Sequence, residues 1–320
     1  MTIHCNNIIT MVILTMSTIY IQTISVHPFD DPINKIKINT IHNGFDNIKD
    51  SVLLLHGYLG NTSDYLNIIS ALHENYNLVA CDVRGHGYSD TPMDYIWSIS
   101  NLANDFIQVL DVLIPKYKKI SIVASSLSTA VALEIASIQP NRIDKLFLIS
   151  ATDKFIIPNW GKIYIGYTKL MSSTFQYHVV DKISKVLMKM NTNIDSEDVD
   201  IGKNRIRQMN NKVHQKLYED AITKWNVRAE IIDHPVFIIA GTDDVIIPYE
   251  SSVKLHSKLI NSSLLTIHGE HHMILRKQND LILEILIDWL DDPDNVLINA
   301  NYCNNHIDLH NNQVNLTVCD

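Results

Sequence analysis

The sequence predicts an α/β fold, a mostly parallel central sheet flanked by helices, with a helical cap inserted into it. Three observations predict it. Six short runs of almost unbroken apolar residues recur along the 320-residue chain. Each is too short for a helix and too continuously apolar for a strand with a wet face, so each suits a strand buried on both sides of a parallel sheet. Longer stretches with helical periodicity lie between them, the β-α-β rhythm of right-handed crossovers. Finally, that rhythm lapses between Ala151 and His234, where helical patterning continues without a strong strand run.

Taken in order, the chain opens on residues 1–25, a segment without Lys or Arg whose Ile8–Ile24 stretch is mostly apolar. A cut after Ser25 would leave Thr23 and Ser25 as the small residues of a cleavage site, so a secretory signal peptide is expected, with secretion or residence in the secretory lumen. An uncleaved membrane anchor is the rival, because the run is nearly long enough to span. An extra buried strand is the bland alternative. If the chain is secreted, Asn61-Thr62-Ser63, Asn261-Ser262-Ser263 and Asn315-Leu316-Thr317 become glycosylation sequons.

The core is expected over residues 26–152 and 234–291. Its strands are Val52–Leu55, Leu78–Cys81, Ile120–Ala124, Lys145–Ile149, Val236–Ala240 and Leu264–Ile267, and its helices Asp64–Glu74, Ile99–Leu113, Ser128–Ile138 and Leu281–Leu290. The cap is expected over 153–233, where Val179, Val180, Ile183, Val186, Leu187 and Met190 recur at helical spacing. Residues 292–320 are polar and Asn-rich, a loosely packed tail. Of the four cysteines, Cys81 lies in an apolar run and reads as a buried thiol. Cys5 lies in the leader, and Cys303 and Cys319, both in the tail, could pair.

Composition excludes some partners. The formal charge is −9 and no block of Lys and Arg occurs, which argues against a nucleic-acid surface. No CxxC or HExxH spacing occurs, and neither a metal nor a cofactor is expected.

In open parallel sheets the functional groups collect at the carboxyl ends of the strands. The runs here end in "HGYLGN", "DVRGHGYSD", "SSLS", "ATD", "GTDDVIIP" and "HGEHHM". A serine, several acids and several histidines therefore share one edge of the sheet. The third run turns into a helix through Ala124-Ser125-Ser126-Leu127-Ser128 with no Gly or Pro to make the corner. Only small side chains flank the central serine at the positions two before and two after it, so a sharp turn is sterically open.

Over about Lys35 to Asp291 the chain resembles the α/β-hydrolase superfamily. Its nucleophile elbow is Gly-x-Ser-x-Gly between a strand and a helix, which assigns Ser126 as nucleophile and leaves Ala124 and Ser128 where glycines are usual. "HGYLGN" resembles the family's His-Gly oxyanion loop, so the N–H groups of Tyr58 and Leu127 would form the oxyanion hole, with His56 structural. "DVRGHGYSD" resembles its Asp-x-Arg-Gly-x-Gly-x-Ser loop, here Asp82, Arg84, Gly85, Gly87 and Ser89. "AGTDDVIIP" matches Gly-x-x-Asp-x-x-x-Pro and selects Asp244 over Asp243 as the acid; Asp153, one strand earlier, is the alternative. Of His268, His271 and His272, the pattern selects His272 as base, with His271 where glycine is usual.

A serine at the elbow implies acyl transfer to water, since relatives with Asp there open epoxides or displace halides. A serine hydroxyl needs a base within reach, and the base needs an acid to fix its tautomer. Aromatic and Met residues of the cap could line an acyl pocket, Trp160, Tyr167 and Met171 among them. No Arg pair for a carboxylate stands out in Phe155–Asp233. The expected function is hydrolysis of carboxylic esters, lipid-like or small and hydrophobic. The alternative is a silent relative that binds a ligand or partner.

Overall fold

In the computed structural model, the residues described are 10–14, 17–29, 31–155, 200–201, 204–205, 213, 216–226 and 228–293. The apolar runs of the sequence become the centre of a nine-stranded sheet ordered β1-β2-β3-β5-β4-β6-β7-β8-β9. The strands are β1 (Thr10–Leu14), β2 (Ser17–Val26), β3 (Ile36–His42), β4 (Ser51–Leu55), β5 (Asn77–Cys81), β6 (Ile120–Ser125), β7 (Ile143–Ile149), β8 (Val236–Gly241) and β9 (Ser262–Ile267). From β5 across β4 to β9 every pairing is parallel; β1, β2 and β3 are antiparallel to their neighbours.

The continuous burial expected of the runs is seen, and its cause is plain from which face each residue takes. Leu53, Leu55, Ile122, Ala124, Leu146 and Leu148 pack on one side with helices α2 (Ile99–Leu113) and α3 (Leu127–Ile138). Val52, Leu54, Val123, Phe147 and Ile149 pack on the other, with α1 (Leu66–Leu72) and the last helix, α6 (Asn279–Asp291). Alternate residues serve opposite faces, so both must be apolar. Two short helices, α4 (Tyr249–His256) and α5 (Ile274–Lys277), complete the described set.

The N-terminal segment is a strand over Ser17–Val26, paired with β3 from Tyr20–His42 to Val26–Ile36. A cut after Ser25 would remove all of β2 but Val26. Among the described residues no helix is long and apolar enough to cross a membrane. Most of the expected cap lies outside the described residues, and so do Trp160, Tyr167 and Met171, the tail beyond residue 293, and Cys5, Cys303 and Cys319. Within the cap, residues 200–201 and 204–205 are helical and Leu217–Ile222 is a π-helical turn. Cys81 is a buried free thiol.

The loop after β5 shows why its residue types are needed. The Asp82 carboxylate accepts from Asn39 Nδ2 at 2.8 Å, Thr62 N at 2.7 Å and Tyr88 N at 2.9 Å. Gly87 has φ +51°, and a Cβ there would lie 2.1 Å from Asp82 Oδ2. Arg84 donates through Nε and Nη2 to both oxygens of Asp105, at 2.7 and 2.6 Å, with both side chains essentially dry. Breaking such a pair strands a buried carboxylate. Arg84→Met is therefore expected to lower unfolding free energy by roughly 3–5 kcal/mol, read as a fall in the urea midpoint, and the double variant with Asp105→Leu should recover much of it. A single variant within about 0.5 kcal/mol of the parent would show that the pair carries no stability.

Candidate active site

Ser126 sits where β6 becomes α3. Its N–H still belongs to the sheet, donating to Ile149 O at 2.9 Å, while its carbonyl already accepts from Thr129 N at 3.0 Å. Changing from strand to helix within one residue forces φ +52°, ψ −118°, a region that costs a non-glycine residue about 1–3 kcal/mol. Leu127 is the first residue of α3, a position whose N–H has no helical carbonyl to bond.

The corner is crowded, as the sequence implied. A Cβ on Gly57 would lie 3.0 Å from Ser126 Cβ and 3.2 Å from Ser125 O, so the loop carrying Tyr58 runs directly against the serine. Ala124 and Ser128 are completely buried. Ser128 is more than a small residue: its hydroxyl donates to the carbonyl of His56, tying α3 to that loop. His56 is fully engaged in structure, its Nε2 accepting from Val83 N at 2.9 Å and its Nδ1 donating to Gly57 O at 2.7 Å. Burial holds its pKa below the ordinary value, against the opposing pull of the Asp82 charge. Ser128→Gly should then weaken the corner by roughly 1–3 kcal/mol, because a buried carbonyl loses its donor. Thermal or urea unfolding checks this, and a more stable glycine variant would show the hydroxyl to be incidental.

The acid and base arrive on two loops that are laced together. Gly241 must be glycine, since a Cβ would meet Glu270 O at 2.2 Å. Asp243 N donates to Glu270 O at 3.0 Å, Gly269 N to Thr242 Oγ1 at 2.9 Å, and His271 Nδ1 to Asp243 O at 2.8 Å. This holds His272 over Asp244. His272 Nδ1 is 2.8 Å from Asp244 Oδ2, and His272 Nε2 is 2.8 Å from Ser126 Oγ. A carboxylate only accepts, so Nδ1 carries the proton and Nε2 accepts from the serine hydroxyl. The other oxygen, Asp244 Oδ1, accepts from Ile246 N at 2.9 Å and Ile247 N at 2.8 Å. Burial pushes the Asp244 carboxyl upward; the hydrogen bond and charge of His272, with the two amides, outweigh it and hold the pKa below the usual value.

The competing residues lie elsewhere. Asp243 is an exposed turn residue and His268 is exposed. Asp153 is buried but paired with Lys258 at 2.6 Å and Lys254 at 3.3 Å. Its lowered pKa, reached against the opposing effect of burial, comes from those lysines. A cavity of about 210 Å³ opens on Ser126 and His272, walled by Tyr58, Leu59, Ile246, Met273 and Leu275 among others. The cap reaches it through Ile201 and Arg205. Arg205 donates to Leu59 O at 3.2 Å and bidentately to Asp64, from Nη1 at 3.1 Å and Nη2 at 2.5 Å. Neither Arg205 nor Arg276, which also lines the cavity, stood out in the sequence. One comes from the cap and one from the core, 71 positions apart by number (276 minus 205), so no local motif joins them.

Comparison with known proteins adds the family. An uncharacterized hydrolase of Bacillus subtilis is 22% identical over 256 residues, covering 76% of this chain and 90% of its own length. The pimeloyl-[acyl-carrier protein] methyl ester esterase of Pseudoalteromonas atlantica is 22% identical over 266 residues, 78% of this chain and 96% of that protein. Among solved structures, a thermophilic esterase from Thermogutta terrifontis superposes with a TM-score of 0.69 at 15% identity, covering 84% of this chain and 98% of the esterase. At that identity it speaks for the fold alone. The family model described as alpha/beta hydrolase fold matches residues 50–278, from the first parallel strand to the helix behind His272, and the chain belongs to that family.

Proposed function

We propose that this member of the alpha/beta hydrolase family is a serine hydrolase of carboxylic esters. The observation that carries the reading is the unbroken relay from Ser126 Oγ to His272 Nε2 and from His272 Nδ1 to Asp244 Oδ2, 2.8 Å at each step. The relay stands on a sharp turn at the floor of a cavity. In the reaction, Ser126 Oγ attacks the ester carbonyl as His272 Nε2 takes its proton. The negative charge that develops on the carbonyl oxygen is met by the N–H groups of Tyr58 and Leu127. Such donors help because the charge they face exists only in the transition state. His272 then protonates the departing alkoxide, and the acyl-enzyme is cleared when water attacks by the same steps in reverse. The apolar walls beside Ser126 favour a hydrophobic group next to the scissile carbonyl.

The test is labelling of the folded protein by a fluorophosphonate, with the adduct mapped by peptide mass spectrometry. The expected result is one adduct, on Ser126. Ser128 is buried and already donates to His56 O, so it should take none. A folded protein that takes no label, and turns over no p-nitrophenyl ester, would instead be a ligand-binding relative.

A further inference from the structure

A second cavity, of about 310 Å³, adjoins the one at Ser126. Among the described residues that line it, all but Ile201 are polar: Ser63, Asp64, Asn67, Arg205, Arg276 and Asn279. Asp64, Ile201, Arg205 and Arg276 line both cavities. The site thus changes character along its length, apolar beside the serine and dense in hydrogen-bond donors farther on. Its described lining holds two guanidinium groups against one carboxylate. Arg205 is also fixed in place. Of the five N–H donors of a guanidinium, three bond to Asp64 and Leu59 O. Among the described residues the other two bond nothing. A guanidinium oriented in this way loses little freedom when it takes a further acceptor, and its forked donors match a carboxylate. A forked donor set of this kind holds an anion locally even on a chain of net charge −9.

We propose that this second chamber takes a carboxylate carried by the substrate. The preferred esters then have an apolar stretch at the scissile carbonyl and a carboxylate at the far end, as in half-esters of dicarboxylic acids. The inference rests on the serine-hydrolase reading and narrows it from hydrophobic esters in general.

The experiment compares two p-nitrophenyl esters of adipic acid, one with a free terminal carboxylate and one with that carboxylate methylated. Wild-type kcat/KM should favour the free acid about tenfold or more, as expected when a charge-assisted pair is made or left unmade. The ratio should shrink as NaCl rises. Arg276→Met should bring it close to one, and Arg276→Lys, which keeps the charge but not the fork, should leave an intermediate value. A wild-type ratio of one or less, or a ratio unchanged in both Arg276 variants, overturns the proposal, as does a stronger preference for a phosphate-ended ester of equal length. If neither ester is turned over and no fluorophosphonate label forms, the hydrolase reading has failed. The chamber is then tested by calorimetry of adipate with the Ser126→Ala protein: heat that disappears on adding Arg276→Met supports it, and no heat overturns it.

Discussion

Ser126→Ala is expected to abolish the fluorophosphonate adduct and to lower ester turnover by roughly 10⁴- to 10⁶-fold, the range in which loss of a triad nucleophile falls, while the protein stays folded. The reason is local. The substitution deletes one oxygen and one hydrogen bond, that to His272 Nε2, and leaves the N–H bond to Ile149 O and the carbonyl bond from Thr129 N in place. Ser126→Gly makes the same chemical deletion but also relieves the backbone, which any side chain at φ +52° strains. The glycine variant should thus be equally inactive. It should also be more stable than the alanine variant, by about 1 kcal/mol after the entropy a glycine costs is subtracted. Activity that survives in Ser126→Ala would remove the nucleophile assignment. Equal stability of the two variants would show that the corner holds no strain.

Much of the site was legible in the chain because the local rules and the global fold agree there. The parallel strands announced themselves through continuous apolar runs, since burial on both faces leaves no polar alternation to blur them. The loops at their carboxyl ends bring the candidate serine, acid and histidine to the expected edge. Ser126 and Asp244, picked by motif and order, each lie within hydrogen-bond distance of His272, picked in the same way. The strands β2 and β3 were harder to read. Ser17–Val26 and Ile36–His42 pair antiparallel at one side of the sheet, and polar residues such as Gln22, Lys37 and Asn39 interrupt their apolar pattern. The first also has the composition expected of a leader, because an apolar strand without charges satisfies the same rule. The polar chamber was invisible for a different reason. Asp64, Arg205 and Arg276 meet only through tertiary packing, and an Arg pair split between cap and core leaves no spacing to recognise. Ser128 stands where the family's elbow has glycine, and its hydroxyl on His56 O gives that position a bonded role.

Asp244→Asn should lower kcat by roughly 10³- to 10⁴-fold with little change in KM, and the hydrogen bonds around the carboxylate explain why. Oδ1 of Asp244 accepts from two backbone amides, Ile246 N and Ile247 N. An asparagine keeps both bonds only by leaving its oxygen there, which turns its NH₂ toward His272 Nδ1. A donor now faces that nitrogen, so the imidazole must move its proton to Nε2, and Nε2 can no longer accept from Ser126. The base is present, in place and in the wrong tautomer. Asp243→Asn should leave kcat near the parent value, because Asp243 is an exposed turn residue. Asp153→Asn should lower stability through Lys254 and Lys258 without changing the tautomer of His272. Stability gives a second readout that needs no substrate. A carboxylate whose folded pKa lies below its unfolded value stabilises the protein above the unfolded pKa, near 4, and that contribution is lost as pH falls through the folded pKa. The pKa of Asp244 is held low in this way. The stability gap between the parent and Asp244→Asn should therefore be widest near neutrality and narrow as pH falls below about 4. A gap that does not change with pH would mean that the carboxylate gains nothing from His272 and the two amides. A kcat that survives Asp244→Asn but collapses in Asp153→Asn would move the acid to the preceding strand.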